Sequence, residues 1–160
     1  MADRKRHDAV SIDIAAPPDE VYALVSDITR MGEWSPECFH CEWTKGATGP
    51  VVGARFKAKN KGARGPGWFN TPVVTAAEAG REFAFNRSGP GIGSYTWRYV
   101  LEPTPTGTKL TESFDAERPL GGAMTWITQK WTGSPDRDAD LHEGMTTTVA
   151  RIKAAAEAPS

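Results

Sequence analysis

SPDRDADLHEGMTTTVARIKAAAE, residues Ser134–Glu157, is the stretch whose reading decides the fold. Ser134 offers a hydroxyl cap, Pro135 suits a first helical position, and Asp136 places an acid at the positive end of the helix dipole. No proline follows until Pro159, so the spacing predicts a single helix of about six turns, roughly 35 Å long. At about 100° per residue, Leu141, Gly144, Met145, Thr148, Val149, Ile152, Ala155 and Ala156 share one arc. Asp140, Glu143, Thr147, Ala150, Lys153 and Glu157 fall on or near the other side. A long helix with a mild, small-residue apolar stripe needs a broad surface to lie on.

The rest of the chain supplies that surface. Ala9–Ile14 alternates apolar and polar as a strand does, and Ala15-Ala16-Pro17-Pro18 ends it. Pro18-Asp19-Glu20 then opens a short helix carrying Val21, Leu24, Val25 and Ile28, and Asp27 caps a second turn to Gly32. From residue 38 the period becomes two. Phe39/Cys41/Trp43, Ala54/Phe56/Ala58, Trp68–Ala77, Glu82–Phe85, Tyr95–Leu101 and Lys109–Asp115 read as strands separated by short turns. Such spacing favours an antiparallel meander. Pro72 predicts a bulge or an edge inside its strand. With Thr104–Gly107 as the last loop, Leu101 faces Leu110, Tyr99 faces Glu112, and Trp97 faces Phe114. Five of those six residues are apolar or aromatic and one is a carboxylate.

Composition bounds the function. The chain has 160 residues, enough for one domain with its own core, and carries 19 Lys plus Arg against 20 Asp plus Glu. No basic excess points to nucleic acid. No apolar run approaches membrane-spanning length, and the charged N-terminus leads into no apolar leader segment, so a soluble cytoplasmic protein without stable membrane insertion is expected.

Catalytic motifs are sparse. Cys38-Phe39-His40-Cys41 is a Cys-x-x-Cys, but on a regular strand residues three apart point to opposite faces about 10 Å apart. Two structural cysteines are therefore expected. His7, His40 and His142 have no metal-binding spacing, no Gly-x-Ser-x-Gly occurs, and Gly89–Gly93 precedes a strand, so it reads as a turn. No metal or cofactor is implied. Residues 116–133 read as a loop with an apolar middle in which Met124, Ile127 and Trp131 have helical spacing, suited equally to a lid or to a packed connector.

Four segments carry a family resemblance. They are Ile14-Ala15-Ala16-Pro17-Pro18-Asp19-Glu20-Val21-Tyr22, Met31-Gly32-Glu33-Trp34-Ser35-Pro36-Glu37, Gly107-Thr108-Lys109-Leu110-Thr111-Glu112-Ser113, and Gly144-Met145 through Ala150-Arg151-Ile152-Lys153. On these, the chain resembles the START-like, birch-pollen-allergen-like superfamily (SRPBCC), and within it the actinobacterial polyketide cyclase/dehydrase and lipid transport group. The resemblance implies an α+β helix-grip fold: a seven-stranded curved antiparallel sheet around one long C-terminal helix, with two short helices after strand 1. Residues 1–7 would be an N-terminal tail and residues 8–157 a single domain.

It also implies a cavity for a hydrophobic small molecule, and the side chains agree. The sheet offers Phe56, Phe83, Phe85, Trp97, Tyr99 and Phe114, while the helix facing it is thin at Gly144, Thr148 and Ala155; packed interiors want closer filling. The cavity set expected is Trp34, Phe56, Trp68, Phe83, Phe85, Trp97, Tyr99, Glu112, Phe114, Arg137, Leu141, Met145, Thr148 and Ile152, with Trp34 plugging one end and Arg137 guarding the mouth. Glu112, aimed inward, is either an anchor or acid/base with Tyr99, or a carboxyl satisfied by Tyr99, an arginine or water. Three functions follow: binding or carriage of a lipid-like or polyketide-like molecule, a cyclase, aromatase or dehydratase using Glu112, and a protein-interaction module.

Overall fold

The computed structural model describes residues 5–62 and 65–159; residues 1–4 of the expected tail, Ala63 and Arg64 in the Gly-rich break, and Ser160 lie outside them. The chain runs β1 (His7–Ile14), α1 (Pro18–Ser26), a 3-10 turn (Ile28–Arg30), α2 (Met31–Trp34), β2 (Cys38–Thr44), β3 (Arg55–Asn60), β4 (Trp68–Asn70), β5 (Val73–Glu78), β6 (Glu82–Gly89), β7 (Gly93–Thr104), β8 (Gly107–Arg118), α3 (Gly122–Thr132) and α4 (Arg137–Glu157). The sheet order is β1-β8-β7-β6-β5-β3-β2, every pairing antiparallel, with the short β4 beside β3. This is the helix-grip arrangement.

Local chemistry places most boundaries where the sequence expects them. Asp27 accepts a hydrogen bond from the Thr29 amide and starts the 3-10 turn. Leu101 pairs with Leu110, Tyr99 with Glu112 and Trp97 with Phe114, around a Pro105-Thr106 loop. The turn between Gly89 and Gly93 joins β6 to β7. Pro72 splits the expected Trp68–Ala77 strand into β4 and β5, because its missing N–H interrupts the ladder. Bulges between Cys38 and His40, Val74 and Ala76, and Ser94 and Tyr95 bend the sheet.

Three expectations shift. β1 begins at His7, two residues before the expected Ala9. The long helix starts at Arg137, not at Ser134–Pro135: Asp136 is its cap, and the Asp136 carboxylate accepts from the Ala139 amide. Residues 116–133 are mostly regular structure, with β8 extending to Arg118 and α3 following.

The 21 residues of α4 span about 31 Å and lie against β1 and β8, flanked by α1 and α2. Its C-terminal half closes the main core: Val149 and Ile152 pack with Val21, Val25, Ile28, Trp34, Phe83 and Leu110. α2 sits directly on β2, where a Cβ at Gly32 would lie 2.4 Å from the Phe39 carbonyl oxygen, so only glycine permits that approach.

Candidate functional site

The thin N-terminal half of α4 and the aromatic wall of the sheet do not meet. Between them lies a cavity of about 730 Å³, lined on the sheet side by Phe56, Phe85, Trp97 and Tyr99 and on the helix side by Leu141, Gly144, Met145 and Thr148. The sheet aromatics brace one another edge-on: Phe56 stands against Phe85 at 5.2 Å between ring centres, and Trp43 backs Phe56 at 5.9 Å. Such bracing fixes the wall in one shape.

Glu112 is the buried carboxyl of this cavity, only 6% exposed. The Tyr99 hydroxyl, across the β7–β8 ladder, donates to its Oε1 at 3.2 Å, while Oε2 has no hydrogen-bond partner among the described residues. Burial pushes the Glu112 carboxyl up to about 8, against the smaller opposing pull of the Tyr99 hydrogen bond. Burial, and then the neighbouring Glu112 charge, push Tyr99 up as well. Near neutral pH the pair is therefore an uncharged acid beside a phenol. It can hand a proton or a hydrogen bond to a polar group on an otherwise apolar guest.

Toward the mouth, Arg137 makes a two-pronged ion pair with Glu37, at 2.8 and 3.0 Å, and its guanidinium lies 5.9 Å from the centre of the Trp68 ring. Arg137 is thus a fixed strut between α4 and the segment after α2 rather than a free charge at the entrance. α3 forms the remaining wall through Met124, Ile127, Thr128 and Trp131. Trp126 and Trp131 remain 59% and 46% exposed. The C-terminal end of α3 is held close to the Gly-rich segment, since a Cβ at Gly62 would fall 2.7 Å from the Thr132 carbonyl oxygen.

Ten of the fourteen residues expected at the cavity line it: Phe56, Trp68, Phe85, Trp97, Tyr99, Glu112, Arg137, Leu141, Met145 and Thr148. Trp34, Phe83, Phe114 and Ile152 do not. Trp34 is buried in the main core with Arg30 stacked on its ring, so it plugs no end of the cavity. Phe83 and Ile152 belong to that same core. Phe114 is covered by Tyr95 and Trp97 and packs with Met145. Sequence reading did not place Tyr95 or Phe69 at the cavity, and it left the Met124, Ile127 and Trp131 segment open between lid and connector, where the structure makes it part of the wall. Tyr95 was legible, two places before Trp97 on the same strand.

The cysteines also depart from expectation. The bulge at Cys38–His40 turns both inward, and their sulfurs lie 3.2 Å apart as free thiols rather than about 10 Å apart on opposite faces. Phe39 and His40 are left outside, with Lys61 over the Phe39 ring. Among the described residues no group of His, Cys, Asp and Glu is placed to hold a metal ion.

A curved antiparallel sheet gripping one long helix above an apolar cavity defines a START-like, birch-pollen-allergen-like protein. The chain belongs to the polyketide cyclase / dehydrase and lipid transport family, which matches residues 7–157. Among solved structures it is similar to the Polyketide_cyc-like protein Cgl2372 from Corynebacterium glutamicum, at 35% identity over 96% of this chain and 86% of that one, with a TM-score of 0.50. The di-domain aromatase/cyclase (ARO/CYC) StfQ of the steffimycin biosynthetic pathway superposes with a TM-score of 0.73 at 16% identity, over 95% of this chain and 50% of its own. The major latex-like protein 151 of Panax ginseng superposes with a TM-score of 0.70 at 13% identity, over 95% and 97% of the two chains. No curated protein matches in sequence. Among the described residues no helix is long and apolar enough to cross a membrane.

Proposed function

We propose that the protein binds and carries a hydrophobic small molecule, lipid-like or polyketide-like, in the cavity between sheet and α4, with Glu112 and Tyr99 anchoring its polar end. The cavity itself carries this reading. A space of about 730 Å³ walled by aromatic rings leaves apolar surface against water unless a guest covers it. Solvent or a guest must fill it, and an aromatic wall favours an apolar guest. The volume falls within the roughly 300–1,000 Å³ usual for small-molecule sites. A pure protein-interaction module would have no use for such a void.

A second reading is a cyclase, aromatase or dehydratase. One observation favours it: a carboxyl poised near neutrality with a phenol on one oxygen and no partner on the other among the described residues, on a fold shared with the aromatase/cyclase StfQ. A protonated Glu112 would donate to a departing hydroxyl, and its carboxylate would then take a proton from the adjacent carbon. Binding ranks first because, among the described residues, no acid–base group besides Tyr99 is hydrogen-bonded to Glu112, a sparse set for acid/base catalysis.

Native mass spectrometry of protein from its own host, followed by organic extraction, tests the proposal. An apolar molecule bound one-to-one is the expected result. A protein that emerges empty and takes up neither long-chain lipids nor polycyclic aromatic ketones would overturn it. For the enzymatic reading, any turnover found must collapse in Glu112→Gln.

A further inference from the structure

Neither reading uses the two cysteines. They are buried, at 6% and 2% exposure, and form a contact that a regular strand forbids. Their access differs. Cys38 lines the cavity, whereas Cys41 is not part of its lining and has its sulfur 3.8 Å from Met31 Sδ. Their acidity differs in the same sense. The hydrogen bond between the two sulfurs, which either can donate, holds the Cys38 thiol below its usual range, and that same bond, together with burial, pushes Cys41 up. A cavity-facing attacker with a second thiol immediately behind it is the arrangement that peroxide chemistry needs.

We propose that Cys38 and Cys41 are a reactive dithiol in the cavity wall that reduces apolar organic hydroperoxides. The Cys38 sulfur attacks the outer oxygen of R–O–O–H. The S–O bond forms as the O–O bond breaks, and the departing alkoxide takes the proton that Cys38 gave up, leaving an alcohol and a sulfenic acid. The Cys41 sulfur then attacks the Cys38 sulfur, forming the disulfide and releasing water with the Cys41 proton. Two thiols and one hydroperoxide become a disulfide, an alcohol and water. An external dithiol reverses the disulfide by exchange. The apolar class follows from the route: both sulfurs are shielded from bulk solvent, and the path to Cys38 is the aromatic cavity. The inference rests on the cavity and not on which ligand normally occupies it.

The test uses the reduced full chain under argon with cumene hydroperoxide, and separately with hydrogen peroxide at equal concentration. Samples are quenched, denatured, labelled with maleimide and weighed intact. Cumene hydroperoxide is expected to remove both thiols together, with a mass loss of two hydrogens, one equivalent of cumyl alcohol, and full recovery in dithiothreitol. Hydrogen peroxide is expected to act several-fold more slowly. Cys41→Ala should stop at a Cys38 sulfenic acid that dimedone captures, and Cys38→Ala should not react. Unreacted thiols in the native chain, or a disulfide formed only between molecules, would overturn the proposal without recourse to any variant. Dimedone capture at Cys41 would overturn the assigned order, and equal rates with the two peroxides would overturn the apolar substrate class.

Discussion

Replacing Glu112 with glutamine should change how stability depends on pH, and by a large amount. The Glu112 carboxyl titrates near 8 in the fold and near 4.5 when unfolded. Below about pH 4.5 both states hold the proton, and the site contributes no pH dependence. Between 4.5 and 8 the unfolded chain releases its proton while the folded chain keeps it, so rising pH favours unfolding by about 1.4 kcal/mol per pH unit. Above 8 the loss levels off at about 5 kcal/mol in total. Glutamine has the same shape and still offers an oxygen to the Tyr99 hydroxyl, but it does not titrate. Urea denaturation of both proteins in reducing buffer from pH 5 to pH 9 isolates the effect, because every other titrating group cancels in the difference. The stability of Glu112→Gln relative to wild type should climb by about 3–4 kcal/mol between pH 5 and pH 8. A difference that stays flat, or one that falls, would refute the claim that Glu112 is buried without a charged partner.

Four further substitutions test the division between cavity and core. Tyr99→Phe removes the hydrogen bond to Glu112, so it should cost about 1–2 kcal/mol in urea unfolding and move the Glu112 titration still higher. Phe83→Ala, in the closed core, should cost about 3–5 kcal/mol, whereas Leu141→Ala on the cavity wall should cost about 1 kcal/mol or less and weaken uptake of an apolar fluorophore. Glu37→Gln leaves the buried Arg137 guanidinium without its two-pronged partner and should cost about 1–3 kcal/mol in thermal unfolding.

The fold was legible because its two governing periods are long-ranged and redundant. A β-turn of known length set the whole β7–β8 register from Trp97–Phe114 to Leu101–Leu110, and one amphipathic run announced α4. Glu112 stood out for the same reason: it fell in phase with Leu110 and Phe114. What periodicity lacks is position along the strand. Phe83 and Phe85 share a phase and a core, yet only Phe85 also borders the void. Likewise, nothing in Cys38-Phe39-His40-Cys41 signals a bulge, since one extra residue in a ladder is chosen by the partner strand and by the close approach of Gly32. Ser134 and Asp136 are both good caps, and the choice between them depends on where Arg137 must sit to reach Glu37.

The single helix α4 does two unrelated jobs along its length. From Arg137 to Thr148 it is a wall, and from Val149 to Ala156 it is a keystone. Because the halves touch different neighbours, sequence drift at Leu141 or Gly144 can reshape what the protein accommodates while leaving its capacity to fold nearly untouched, whereas Arg137 and Met145 stay tied to the fold. Gly144 is the clearest such position: an added methyl there would meet nothing nearer than the Pro36 ring at 3.8 Å. A lineage could thus change guests by altering three or four residues on one helical turn, without renegotiating the sheet. The same separation gives an engineer a place to begin.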